Sequence, residues 1–210
     1  MLSFAHIQCL SYHAGLSNKV NIKCQHRNSI MRDEVQNKWM KNEVPVIAAT
    51  IAFGMGIDKP DVRFVVHWTC PQNLAAYYQE SGRAGRDGQR SYCRIYYSLS
   101  DKDFLHFLVR RDLALLKGKG ISEESKKQQA AAMQLGLEKM VDYAEVAHCR
   151  HVCFAKYFGE NDLPPCRQHC DFCKDPKGTA RRASQFQVIL FVPSFSQFSN
   201  IWFLDRLYFD

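Results

Sequence analysis

The chain has neither a basic opening segment nor the long apolar stretch of a secretory signal: it starts MLSFAHIQCLSYHAG. An intracellular, reducing setting is therefore expected. No apolar run reaches the ~18–20 residues of a membrane span. Even the phenylalanine-rich end, SQFQVILFVPSFSQFSNIWFLDRLYFD, is broken by Pro193 and by polar Ser, Gln and Asn. There is no internal repeat. A phosphate-cradling G-x-x-x-x-G-K-[ST] loop is missing too, because GLSNKV (15–20) and GKG (118–120) do not fit it.

What is present reads as a soluble globular chain. Of 210 residues, 46% are apolar and 23% charged, enough for one domain of ordinary size with or without a small satellite. A net charge of +7 suits a polyanion such as nucleic acid, since Lys and Arg near phosphates release counterions. Solvated surface lysines give the same total, so charge alone does not decide the partner. Nine cysteines in a reducing setting point to metal more than to disulfides.

Along the chain, VPVIAAT (44–50) and VRFVVHW (62–68) have the apolar, β-rich character of buried strands. Between them lies the glycine loop FGMGIDKPD. LAAYYQESGRAG then predicts a helix and SYCRIYYS (91–98) a further strand, an α/β layering. From 101 the pattern becomes amphipathic and helical, in DKDFLHFLVRRDLALLKGKG and SKKQQAAAMQLGLEKMVDYAE. A cysteine-rich stretch covers 149–173. The last 27 residues hold six of the fourteen phenylalanines and fit neither pattern, as a foreign or alternatively spliced end would.

Cys149, Cys166, Cys170 and Cys173 follow C-x16-C-x3-C-x2-C. The close trio can wrap a small ion while the distant cysteine closes a tetrahedron. Four soft thiolates suit Zn²⁺ and leave no open position for chemistry, so the site reads as structural. Cys153 lies one helical turn from Cys149, so either can face the metal, and His148, His151 and His169 lie nearby. Buried reduced thiols are the alternative.

On the helix expected here, Gln79, Arg83 and Arg86, spaced by four and three, form one stripe. Gly82, Ala84 and Gly85 keep the adjacent surface low. Two planar guanidinium groups on such a frame suit phosphate oxygens, as in an arginine finger, although a solvated basic helix end looks the same in isolation. Upstream, Thr50, Gly54, Gly56 and Asp58 form a loop of the kind that meets a sugar–phosphate backbone; it also reads as a sharp turn between core strands.

The ordered set YHAGL, VIAATIAFGMGIDKPDVRFVVHW, YYQESGRAGRDG and CRHVCFAKYFGE…C…C..C resembles the RecQ family of DNA helicases over residues 11–176. VQNKWM, SYCRIYYS and AKYFG look nearest to its RecQ-like type five branch. The resemblance implies an α/β fold, with residues 1–100 an incomplete second RecA-like lobe built on a parallel sheet. Residues 101–176 would be a helical zinc-binding module and 177–210 a tail of unknown role, disordered or non-homologous. QESGRAGR resembles motif VI, which makes Arg86 the arginine finger on the ATP γ-phosphate, assisted by Arg83 and Gln79. ATIAFGMGID resembles motif V, with Thr50 near the DNA backbone and Asp58 near the nucleotide or coupling the two sites. The family's zinc ligands fall on Cys149, Cys166, Cys170 and Cys173, and Cys153 falls where a non-ligand is expected.

The chain also departs from the family pattern. MLSFAHIQC stands where a strand and helix should precede YHAGL, and the segment before VQNKWM is long and includes Cys24 and His26. This puts the fold of the first fifty residues in question. RDEVQ (32–36) imitates an acidic Mg²⁺ box but does not end an apolar strand; it belongs to a helix. Zn²⁺ is thus the implied structural cofactor, with ATP and Mg²⁺ needed only in an intact motor. The implied partners are single-stranded and forked DNA and a preceding helicase lobe, in the nucleus, for replication, recombination and repair. The chain alone is expected to hydrolyse no ATP. A non-enzymatic zinc-containing DNA-binding or regulatory isoform is the alternative, and an RNA helicase lobe is disfavoured by the cysteine cluster.

Overall fold

Strand β4 (Tyr92–Tyr97) organises the larger part of the molecule, because its side chains alternate strictly between two faces. Cys93, Ile95 and Tyr97 are buried, whereas Tyr92, Arg94 and Tyr96 point the other way and are more accessible. A computed structural model describes residues 9–12, 25–50, 57–189 and 202–207. It forms two compact units, Met1–Lys59 and Pro60–Asp210.

In the first unit, β1 (Cys9–Tyr12) pairs in parallel with β2 (Val46–Ala49), in register Cys9↔Val46 to Tyr12↔Ala49. Parallel neighbours need a crossover, and α1 (Gln25–Met40) provides it. RDEVQ lies within α1, as its sequence setting requires. After the helix, Asn42 adopts φ 60°, and its side-chain oxygen accepts from the buried Lys59 ammonium at 2.7 Å. That ammonium also lies 5.5 Å from the centre of the Trp39 ring.

In the second unit, β3 (Phe64–His67) pairs in parallel with β4, and α2 (Leu74–Ser81) makes the crossover. The Asn73 side chain caps α2 by accepting from the Ala76 amide at 2.9 Å. Strand β5 (Trp202–Leu207) adds to the other edge of β4, antiparallel. Chain direction changes after β4 through a reciprocal cap: Ser98 accepts from the Asp101 amide, and the Asp101 carboxylate accepts from the Ser98 amide. Helix α3 (Leu99–Lys117) follows, then α4 (Glu123–Glu145), whose first turn carries Glu123 and Glu124 at the positive end of the helix dipole.

Leu137, Met140 and Ala144 recur at helical spacing along α4 and face the buried side of β4. The core joins β4 and α2 directly to the helices within the larger unit. Tyr97 extends this seam: its hydroxyl donates to Glu145 at 2.8 Å, and the Lys102 ammonium donates to the same carboxylate at 3.0 Å. Helix α5 (Arg150–Phe158), the short α6 (Asp171–Lys174) and α7 (Pro176–Ile189) complete the unit. Helix α7 occupies the start of the segment read as a tail of unknown role, disordered or non-homologous. Its Thr179, Ala183 and Phe186 are buried, and the Phe186 ring lies 5.5 Å from that of Tyr97. Among the described residues no helix is long and apolar enough to cross a membrane.

Candidate metal centre and arginine loop

Helix α2 stops at Ser81, so Gln79, Arg83 and Arg86 do not form one helical stripe. Gln79 is an exposed helical residue, and both arginines lie on the loop beyond it. The small residues that suggested a continued helix instead make a tight turn. Gly85 has φ +70°, and a Cβ there would come within 2.5 Å of Ser91 Oγ and 3.0 Å of the Gln89 carbonyl. No L side chain fits that position without displacing the loop.

The loop is fastened to the segment before β3. The Gly85 amide donates to the Val62 carbonyl at 3.0 Å, and the Asp87 amide to the Pro60 carbonyl at 3.3 Å. Arg63 grips both Asp87 oxygens, at 2.6 and 2.7 Å, and its Nε donates to the Asp61 carbonyl. The Arg63 hydrogen bond holds the Asp87 carboxyl below its ordinary range. On this frame Arg86 Nε donates to the Gly82 carbonyl at 3.4 Å. Arg83 is half-buried, and burial followed by the nearby Arg86 charge lowers its pKa. Two like charges on one short loop favour an anion beside them.

Of the upstream loop, Thr50 follows β2 and is exposed, as is Asp58. Gly54 and Gly56 lie outside the described residues. Thr50 and Asp58 belong to the first unit, and the arginines to the second.

The cysteine cluster is built where α5 begins. Cys149 stands at the start of α5 without a side-chain cap hydrogen bond; burial would raise this thiol, but the Val152 amide and the Cys173 side chain outweigh it and hold it low. Cys170 occupies the same position on α6 and accepts from the Cys173 amide at 3.4 Å. Its thiol is also low despite burial, through the His151 side chain and that amide. Burial pushes Cys166 up to about 12, and it raises Cys173 as well. Cys153 is turned aside: its thiol donates to the Cys149 carbonyl at 3.0 Å, and burial pushes it up to about 12.

Donor atoms of Cys149, His151, Cys166 and Cys170 all lie within 4.8 Å of one another. The sulfurs of Cys149 and Cys170 are 3.9 Å apart, close to the roughly 3.8 Å edge of a tetrahedron with 2.3 Å Zn–S bonds. The donor set fits a four-coordinate zinc ion. Of the four cysteines read from spacing, three enter this group. Cys173 stands beside it, its side chain interacting with Cys149 and Cys170. His151 enters it, and its only sequence signal was its position two residues after Cys149.

An aromatic stack links the two features. Tyr77 on α2 lies 5.9 Å from Phe154 on α5, and Tyr78 lies 5.3 Å from Phe154 and 5.0 Å from Phe158. Tyr143 of α4 packs on both Tyr77 and Phe154. The helix leading into the arginine loop is thereby seated on the helix that opens the cysteine cluster.

Residues 2–88 match the helicase conserved C-terminal domain, and residues 99–174 match the RecQ zinc-binding domain. The chain is 45% identical over 182 residues to the ATP-dependent DNA helicase Q5 of Mus musculus, covering 86% of this chain and 17% of that protein. It is 39% identical over 170 residues to the ATP-dependent helicase SGS1 of Saccharomyces cerevisiae, covering 80% of this chain and 10% of the relative. Against the RecQ-like DNA helicase BLM of Xenopus laevis it is 40% identical over 184 residues, covering 84% and 12%. The chain thus spans less than a fifth of these relatives' lengths. With the helicase and zinc-binding domains in this order and a compact cysteine cluster in the second, the chain belongs to the RecQ family of helicases and corresponds to the C-terminal part of the family's helicase core.

Proposed function

We propose that this chain supplies the arginine-bearing lobe and the zinc module of an ATP-dependent, 3′-to-5′ DNA helicase. The observation that carries the reading is the pair Arg83 and Arg86, both on one short loop that is fastened to the segment before β3. Arg86, the more exposed, is the finger on the γ-phosphate; Arg83 and Gln79 assist at the face where a second lobe closes. Closure brings a fixed positive charge to a phosphoryl group as charge builds on it, without reorganisation at that moment. Thr50 holds the DNA backbone, Gly54 and Gly56 let that backbone approach, and Asp58 couples DNA to nucleotide.

Cys149, Cys166, Cys170 and Cys173 hold a structural zinc ion, which fixes the starts of α5 and α6. ATP and Mg²⁺ bind the intact enzyme, whose phosphate loop and acidic box this sequence does not contain. The chain alone therefore hydrolyses no ATP. Single-stranded and forked DNA are the partners, in the nucleus, in replication, recombination and repair. The test is ATP turnover by the purified 210-residue chain with single-stranded DNA: none is expected, and turnover abolished by Arg86→Ala would sink the proposal that a second lobe is required.

The net charge of +7 favours a second reading, a DNA-binding or regulatory isoform without catalysis. Salt-dependent binding of a labelled single strand supports it, and absence of binding at low salt removes it.

A further inference from the structure

We infer that the zinc site has five donors rather than four, with His151 held in reserve for Cys173. This rests on the reading of the cluster as a zinc site and concerns how this chain fills it. Five metal-binding side chains converge where a tetrahedral ion takes four. His151 Nδ1 lies 3.0 Å from Cys166 Sγ. The four donor atoms that already lie mutually within 4.8 Å are those of Cys149, His151, Cys166 and Cys170. Cys173 is the cysteine outside that group, so it is the ligand His151 can replace.

Charge argues the same way. Four thiolates around Zn²⁺ leave the site at −2, in a partly buried setting. Arg150, the nearest basic residue in sequence to Cys149, is committed to Asp171, so it does not neutralise the excess. A hydrogen bond from His151 Nδ1 to the Cys166 thiolate relieves part of it. Replacing one thiolate by the neutral imidazole relieves a full unit, and Cys₃His is an ordinary zinc ligand set.

Backbone position makes the exchange small. Cys149 stands at the start of α5 and His151 lies in its first turn, so both are carried by the same helix start. Cys173 lies on the four-residue α6, one turn beyond Cys170. Cys149 and Cys170 have no such substitute: each stands immediately before a helix, Cys149 before α5 and Cys170 before α6, where its sulfur accepts from the Cys173 amide at 3.4 Å.

Co²⁺ binding to the 210-residue chain tests this, because tetrahedral Co²⁺ absorbs strongly and its sulfur-to-metal charge-transfer intensity follows the number of thiolates. The unaltered chain and His151→Ala are expected to bind one equivalent with four-thiolate intensity. Cys173→Ser should still bind one equivalent, with roughly three quarters of that intensity. Cys173→Ser combined with His151→Ala should weaken binding by at least tenfold, read by competition with a chelator. Loss of tetrahedral Co²⁺ in Cys173→Ser alone overturns the reserve role, as does a double variant that binds as tightly as Cys173→Ser. An unaltered chain that takes up no Co²⁺ overturns the zinc reading itself, which separates the two failures.

Discussion

The Arg150 guanidinium closes a two-pronged bond on the Asp171 carboxylate, with Nε to Oδ1 at 2.8 Å and a second nitrogen to Oδ2 at 2.9 Å, both side chains almost wholly buried. The same guanidinium donates to the Tyr143 and Val146 carbonyls at the end of α4 and lies 5.0 Å from the Tyr143 ring. One side chain thus ties the end of α4 to the starts of α5 and α6. Burial works against its charge, but the Asp171 hydrogen bond outweighs this and keeps its pKa above the ordinary arginine range. Removing one partner leaves a buried charge unpaired, at a cost of ~3–5 kcal/mol. Asp171→Ala should therefore lower stability by that amount in urea unfolding. A loss under 1 kcal/mol would mean that water reaches the pair.

Helix α7 offers a separate test, because it lies in the segment read as a tail of unknown role. Phe186 is 2% exposed and packs on Tyr97 at the end of β4. Phe186→Ala should cost about 3–5 kcal/mol through lost burial and the cavity left behind. If the variant melts with the unaltered chain, α7 does not belong to the core.

How far the sequence revealed these features varied with the kind of signal. The alternation of β4 and the amphipathic lengths of α3 and α4 were legible, because burial imposes a period on residue type; the apolar runs located β2 and β3, but not their surroundings, since no residue of either strand is buried. The end of α2 was not: Gly82, Ala84 and Gly85 read as a smooth helical face, whereas they permit a turn with positive φ at Gly85. Helix α7 had a readable signal in Thr179, Ala183 and Phe186 at helical spacing, but the neighbouring phenylalanines and Pro193 obscured it. The cysteine spacing located the metal centre. His151 could not be singled out, since its proximity to Cys166 depends on a chain reversal between α5 and α6.

Gly85 makes the turn testable. Gly85→Ala places a side chain at φ +70° against Ser91 and the Gln89 carbonyl. The backbone conformation alone costs roughly 1–2 kcal/mol, so the melting temperature should fall by about 2–8 °C. Recovery of that loss on adding Ser91→Gly, which removes the closest clashing atom, would assign part of the cost to contact. No recovery would assign it to the backbone.

Metal removal should be felt beyond the cysteines. Cys149 begins α5, and Phe154 of α5 carries Tyr77 and Tyr78 of α2. Chelation should raise amide exchange across 149–174 by roughly tenfold or more, with a smaller rise over α2 and the arginine loop. Exchange that rises only within 149–174 would show that the aromatic stack does not transmit the loss.

The arginine pair separates stability from chemistry. Arg86 is exposed, so Arg86→Ala should change stability by no more than ~0.5 kcal/mol. In a longer chain that carries the preceding lobe, the same substitution should lower ATP turnover by about 10³–10⁵-fold, the range for loss of an arginine finger. Arg83→Ala, at the half-buried position, should lower both stability and turnover, because that side chain packs as well as carrying charge. The two variants should therefore differ in melting temperature. If Arg86→Ala leaves turnover within tenfold while Arg83→Ala abolishes it, the finger is Arg83 and the roles of the two arginines are reversed.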